Sequence, residues 1–238
     1  MNYKELKFKI KSIPVIGRTY QFLIGNKKIE RKRKNAQMYL RQTGTELIQQ
    51  LELALKSYSD DLVFFADYGT LLGAIRDHGF ISWDLDIDYG VITPVDFDKA
   101  QLEKHLLNYD FHKIREFQYL GEIKEQTYTY KNLGIDLFYK TDDGVHSVAY
   151  GFYKKPNFRY HLSTDHHVRK VEYISVAGTC EIPFLGAKIT VPANAEAYLE
   201  SVYSKNWKIP DPEWDDNKET PDRKTCELAE LGSGWFKE

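Results

Sequence analysis

Asp84, Asp86 and Asp88 alternate with Leu85, Ile87 and Tyr89. A two-residue period is that of a strand with one polar and one buried face, so the three carboxylates are expected on a single side. Same-face neighbours along a strand lie about 6.5–7 Å apart, close enough for each charge to raise the next carboxyl's pKa unless a cation intervenes. Aspartate is a poor strand former, so three at alternate positions need a reason. A hard divalent cation bound through oxygen supplies one, and magnesium, with manganese as the substitute, is the expected cofactor. A fourth carboxylate belongs to the same chemistry. Asp136 stands alone inside the apolar strand pattern Ile135-Asp136-Leu137-Phe138, where an unpaired charge would be costly, so a cationic partner is expected.

The stretch before these aspartates looks built for phosphate. Leu62-Val63-Phe64-Phe65-Ala66 reads as a buried strand ending near Gly69. Thr70 is the expected cap of a short helix, Leu71 to His78, with Gly79 as its stop. Such a strand, glycine turn and helix start would present backbone N–H groups to phosphate oxygens. Gly69, Thr70 and Arg76 are therefore the candidate substrate-binding residues, with Arg76 either bonding phosphate or pairing with a structural carboxylate.

The order Gly69-Thr70-Leu71-Leu72-Gly73-Ala74-Ile75-Arg76, then Gly79-Phe80-Ile81-Ser82-Trp83-Asp84-Leu85-Asp86-Ile87-Asp88, resembles the signature of the LicD family, related to the fukutin group. Family members commonly have proline at the position of Ser82, aspartate at Leu85, and Tyr-Gly where this chain has Tyr203-Ser204. Leu85 is expected on the buried face of the strand and Trp83 packed beneath it. The resemblance covers residues 60–215 and implies an α/β (α+β) nucleotidyltransferase-like fold, a mixed sheet flanked by helices. It further implies a transferase that moves phosphocholine or a similar phospho-alcohol from a CDP-linked donor to a sugar hydroxyl of a glycan or glycolipid. On that basis Asp86, Asp88 and Asp136 are the expected metal ligands and Asp84 the expected proton acceptor. An aspartate at the position of Asp136 is also a family feature.

The elements that hold these residues follow from the rest of the chain. At 238 residues with 42% hydrophobic content, one core-forming domain is expected over 29–238, preceded by a basic amphipathic segment, 1–28. Residues 1–41 carry twelve Lys/Arg and two acids, net +10, against 21 basic and 33 acidic residues in the remainder, net −12. Two readings of the basic segment stand: peripheral contact with an anionic membrane surface, or an ordinary packed element with solvated lysines. The acidic remainder argues against nucleic acid. Two cysteines, Cys180 and Cys226, are too few for a disulfide framework, and the expected location is the cytoplasm, on the inner face of the cell membrane.

Pro14 and Gly17 are expected to interrupt regular structure near the N-terminus, and Thr43-Gly44-Thr45 to break a helix over 27–58. A helix is expected over Val95–Asp110, strands over Phe111–Tyr119, Gln126–Tyr130, Gly134–Tyr139 and Val145–Phe152, a hairpin over Glu181–Pro192 and a helix over Ala193–Tyr203. Between Lys154 and Lys170 the pattern fails, so His161, His166 and His167, with Arg159, Arg169 and Lys170, are expected on an irregular loop, either a lid or plain surface.

Two rival functions remain open. A manganese-dependent nucleotide-sugar glycosyltransferase would explain Asp86 and Asp88 but not Gly69-Thr70 or Asp136. A non-catalytic scaffold of glycan biosynthesis would need none of the carboxylates. A calcium loop is excluded, because its glycine and bidentate glutamate positions hold Tyr89 and Val95.

Overall fold

The computed structural model of the protein describes residues 14–211 and 224–237. Helix α1 runs from Pro14 to Tyr58 without interruption, across the boundary expected at residue 28. Proline is tolerated at a helix start, where its missing N–H has no partner to lose. The expected breaks at Gly17 and at Thr43–Thr45 do not occur. The Thr43 hydroxyl bonds back to the Tyr39 carbonyl at 2.8 Å, and Gly44 makes room for Phe80, whose ring would lie 2.6 Å from a Cβ there. A helical glycine costs about 1 kcal/mol, and burial outweighs that here. Leu40, Leu47, Ile48, Leu51 and Leu55 form one fully buried stripe at helical spacing.

Strand β1 (Val63–Ala66) leads into a one-turn helix α2 (Tyr68–Leu72), continued by a wide π-type turn, Gly73–Asp77. Next come β2 (Ile87–Ile92), α3 (Lys99–Leu107), β3 (His112–Tyr119), β4 (Glu122–Tyr130), β5 (Leu133–Asp142) and β6 (His146–Tyr153). The chain continues through β7 (Asp165–Ile174), the hairpin β8 (Thr179–Phe184) and β9 (Ala187–Pro192), α4 (Ala195–Tyr203), β10 (Lys224–Glu227) and β11 (Gly232–Phe236).

Among the described residues nine strands form one mixed sheet in which β2 and β5 are the parallel pair and the other pairings are antiparallel. The order β5-β4-β3-β11-β7-β6 returns to β5, because β6 pairs with both β5 and β7. The sheet therefore curls into a ring, held at two narrow seams. Thr141 and Asp142 pair with β6, and Gly232 and Ser233 pair with β7. Three two-residue hairpin loops, Leu120-Gly121, Lys131-Asn132 and Leu185-Gly186, have positive φ at both positions, the geometry that matches strand twist.

Helices α1 and α3 cover the outer face, where Leu102 and Leu106 are buried. A buried carboxylate ties α1 to two strands. Glu52 accepts from the Tyr89 hydroxyl at 2.9 Å and from the Thr190 N–H and hydroxyl at 2.7 and 2.6 Å. Lys56 completes its set at 3.0 Å.

The stretch expected as a loop from Lys154 to Lys170 is irregular only as far as Thr164. His166 and His167 lie in β7 and are buried among Phe117, Phe236, Phe158 and Tyr160. The aromatic surroundings make up for the absent apolar alternation. Strands β10 and β11 lie beyond any sequence expectation. Cys180 and Cys226 are exposed free thiols.

Candidate active site

The expected strand through Asp84, Asp86 and Asp88 begins only at Ile87, so Asp88 alone is on it. Residues Ser82 and Trp83 form a turn, closed by the Asp84 N–H on the Ile81 carbonyl at 3.1 Å. Asp84 and Asp86 sit on the segment leading from that turn into β2, and Leu85 is half-buried there, not on a buried strand face. Neither neighbouring strand offers a partner earlier: β1 reaches Tyr89 and β5 reaches Ile87. Trp83 is exposed on the turn and lines a cavity instead of packing under the strand.

Asp88 is fixed by its backbone from two sides. Its N–H donates to the Thr70 hydroxyl at 2.9 Å, and its carbonyl accepts from the Asp67 N–H at 2.9 Å. Thr70 is thus a buried brace for Asp88, lining neither cavity beside the site. The expected cap is displaced too. Asp67 caps α2, accepting from the Tyr68 N–H at 2.9 Å, and His78, at φ 52°, ends the turn where Gly79 was expected to. Gly69 has a steric reason, since a Cβ there would lie 2.8 Å from Asp84 Oδ2.

Parallel pairing sets Asp136 on β5 directly opposite Asp88. Its expected cationic partner is Arg115 from β3, whose Nη2 lies 3.1 and 3.2 Å from the two carboxylate oxygens. Arg115 also bonds Glu125 at 3.0 Å and the Thr127 hydroxyl at 2.8 Å, and Thr127 donates a short bond to Asp136. Asp88, Asp136, Thr127 and Glu125 occupy register positions on one face of β2, β5 and β4.

The carboxyls perturb one another. Burial first, and then the Asp86 charge, lifts Asp84 to about 7. Asp86 is exposed at the rim, yet the protein packed around it and the Asp136 charge lift it to about 6, against the pull of Arg115. Asp88 is pushed well above the carboxylate range by burial and by four neighbouring acids. Glu125 rises to about 7 through burial and Asp136. Among the described residues no three acidic, imidazole or thiol groups already converge as a cation's ligand set. The donor chemistry nevertheless fits a hard cation. It is all oxygen, it carries mutually repelling charge, and Arg115 supplies the one positive charge bonded to Asp136.

A cavity of about 610 Å³ opens beside these groups, lined by Tyr68, Gly69, Arg76, Trp83, Asp84, Asp88, Tyr203 and Trp207. Arg76 is clamped by Asp77 through Nε at 2.7 Å and Nη2 at 2.9 Å, and its Nη1 reaches the Trp207 carbonyl at 3.5 Å. The Asp77 bond raises its pKa further. Ser204 follows Tyr203 at φ 76° and ψ 176°, a conformation open chiefly to glycine. The glycine common in the resembling family has its explanation there.

No local pattern points to the site's deepest support. Lys140 and Asp67 form an ion pair with both side chains fully buried, and Lys140 donates to the Tyr198 hydroxyl at 2.6 Å. Tyr198 in turn donates to Asp67 Oδ1 at 3.2 Å. The rings of Tyr68, Tyr173, Tyr198 and Phe65 surround the ammonium at 4.6–5.6 Å. Burial still lowers the Lys140 pKa. Asp67 and Lys140 are far apart in sequence, on elements with no shared period, so only the fold joins them.

Comparison with known proteins agrees with this architecture. Residues 61–194 match the family described as LicD/FKTN/FKRP, nucleotidyltransferase domain. The ribitol-5-phosphate transferase FKTN of Mus musculus is 26% identical over 181 residues, 75% of this chain and 36% of the relative. The Homo sapiens protein of the same name is 26% identical over 184 residues, 76% of this chain and 36% of the relative. The chain thus spans little more than a third of the length of these relatives. The family match covers over half of the chain and takes in Asp84, Asp86, Asp88 and Asp136 together, and the protein belongs to the LicD/FKTN/FKRP nucleotidyltransferase-domain family.

Proposed function

We propose that the protein transfers a phosphorylated alcohol from a CDP-linked donor to a sugar hydroxyl of a cell-surface glycan precursor. The observation that carries this reading is the opposition of Asp88 and Asp136 on adjacent parallel strands, beside Gly69 and Asp84 at the wall of a 610 Å³ cavity. The relatives are named ribitol-5-phosphate transferases, so a polyol phosphate joins phosphocholine as a candidate for the transferred group.

Asp86, Asp88 and Asp136 would hold magnesium, which neutralises diphosphate charge and polarises the reacting phosphoryl group. Gly69, which makes room for Asp84, lines the cavity beside the donor phosphates, and Arg76, its plane set by Asp77, offers charge-assisted bonds to phosphate. Asp84, with its carboxyl near 7, is matched to a general base at neutral pH. It takes the proton of the acceptor hydroxyl as that oxygen bonds to the phosphorus. The bond from phosphorus to the bridging oxygen breaks, and cytidine monophosphate leaves with the electron pair.

The test is incubation with magnesium, CDP-linked alcohols, nucleotide sugars and glycan acceptors, followed by phosphorus NMR and product mass. A new phosphodiester with cytidine monophosphate is expected. Sugar addition without phosphorus would assign the protein to the glycosyltransferases, and no product from any donor would leave the scaffold.

A further inference from the structure

A second cavity, about 240 Å³, lies inside the strand ring and shares Tyr68 and Asp88 with the larger one. One wall is formed by Glu125 and Phe138 of β4 and β5, the other by β6 and β7. Alternation along β7 puts Arg169, Val171 and Tyr173 on the cavity face, and Gly151 and Ala149 stand opposite Arg169 and Val171 on β6. Small residues at these two positions keep the space open. A Cβ on Gly151 would lie 3.1 Å from Arg169 Nε and 3.3 Å from its Cγ.

Arg169 is half-buried, yet among the described residues it enters no ion pair. Its register partner on β10 is Glu227, whose carboxylate is engaged by Lys155. Its guanidinium lies over the ring of Tyr153, 5.4 Å from the centroid. The cavity's acids, Glu125 and Asp88, lie on the opposite wall and at its junction with the larger one, and both are pushed toward their neutral forms. An arginine fork that no described carboxylate pairs with, facing such a cavity, suits a tetrahedral oxyanion, which it can bind through two parallel bonds. The cavity is below the roughly 300–1,000 Å³ of sites for whole drug-sized ligands, so it takes a fragment. The larger cavity has room for a nucleotide, and the two meet at Asp88.

We infer that this inner cavity is a separate subsite for the phosphate-ester end of a small polyol or sugar, with Arg169 as its anion contact. The inference builds on the proposed CDP-linked donor and adds that the nucleotide occupies the larger cavity. The ester could belong to the donor's transferred group or to a phosphorylated acceptor, and the kinetic arm of the test separates these.

Calorimetric titration of the full-length protein in magnesium buffer uses cytidine monophosphate, ribitol 5-phosphate and free ribitol as probes, against wild type, Arg169→Ala, Arg169→Lys and Gly151→Ala. Wild type should bind the monophosphate and ribitol 5-phosphate together, without competition. Arg169→Ala should weaken ribitol 5-phosphate at least tenfold, leave the monophosphate within twofold and leave the melting temperature unchanged. Arg169→Lys should recover part of the loss, and Gly151→Ala should reproduce it by crowding the guanidinium. In turnover, the KM that rises tenfold, the donor's or the acceptor's, identifies the substrate carrying the ester. Equal ribitol 5-phosphate affinity in wild type and Arg169→Ala overturns the subsite. So does a parallel loss of both probes with a lowered melting temperature, or no binding of ribitol 5-phosphate to wild type. If cytidine monophosphate fails to bind while ribitol 5-phosphate binding stays dependent on Arg169, the nucleotide-donor reading falls and the subsite stands.

Discussion

Asp84 sits against the Cα of Gly69, a place that admits no side chain beyond hydrogen and holds a carboxyl whose pKa is about 7. The consequence for stability follows from proton linkage. The folded pKa lies above the unfolded 3.8, so the native state binds more protons between pH 4 and 7, and stability falls as pH rises through that window. Asp84→Asn removes the term. At pH 8, with chelator present, the variant should be more stable than wild type by up to about 4 kcal/mol, the full value of the shift, and the two should converge near pH 4. Paired thermal melts at both pH values check this, and an equal difference at each would refute the linkage. Activity moves the other way, with kcat falling by about 10²–10⁴ if Asp84 takes the acceptor proton. Asp88→Asn and Asp136→Asn should each abolish transfer and weaken magnesium binding while the fold persists. Retained activity in the double variant, measured by release of cytidine monophosphate, would remove the carboxylate mechanism.

Between elements, the buried pair of Lys140 on β5 and Asp67 at the α2 cap joins the sheet to the segment that braces Asp88. Lys140→Met strands a carboxylate in a dry aromatic cage and should cost about 3–5 kcal/mol. Adding Asp67→Asn to Lys140→Met should return much of that loss, and urea melts of the four proteins in a double-mutant cycle measure the coupling. A strictly additive outcome would show the pair to be inert. Ser204 makes the opposite prediction. It holds a conformation costing about 1–3 kcal/mol for a residue with a Cβ, so Ser204→Gly should raise the melting temperature. These examples show why some of the design was legible and some was not. Asp88 and Asp136 could be found because each interrupts an apolar strand locally, whereas the turn expected at Gly69 is a helix, and its missing side chain answers to Asp84, fifteen residues on. The arrangement of Asp84 and Asp86 was misjudged because alternation implies a strand only where partners exist, and none pairs before Ile87. Lys140 and Arg115 acquire meaning only from partners on other elements, Asp67 and Asp136, and the buried histidines of β7 from the aromatic residues packed around them, contacts with no local period.

Across the molecule, the charge asymmetry and the length of α1 bear on location more than on chemistry. No described helix is long and apolar enough to cross a membrane. Among the described side chains of α1, those fully buried begin at Leu40, while Arg31, Arg33 and Lys34 are exposed. Before Leu40, Tyr39 packs against the edge of the core, while the exposed Arg31, Arg33 and Lys34 leave their charge open to a surface partner. We propose peripheral attachment to anionic lipid through this region, which would hold the carboxylate site close to a lipid-linked glycan acceptor. Residues 1–13 lie outside the described part of the chain, as do the helix side chains up to Ile29. A protein beginning at Lys27 should fold with nearly unchanged stability and keep kcat on a soluble acceptor. Its binding to phosphatidylserine vesicles should fall at least tenfold, because five of the twelve basic residues are removed with the interleaved apolar ones. Attraction of this kind weakens as salt rises, so sedimentation with vesicles at two ionic strengths supplies the control. Wild-type protein that ignores such vesicles even at low salt, or a truncated protein that melts well below wild type, would make the segment a structural element.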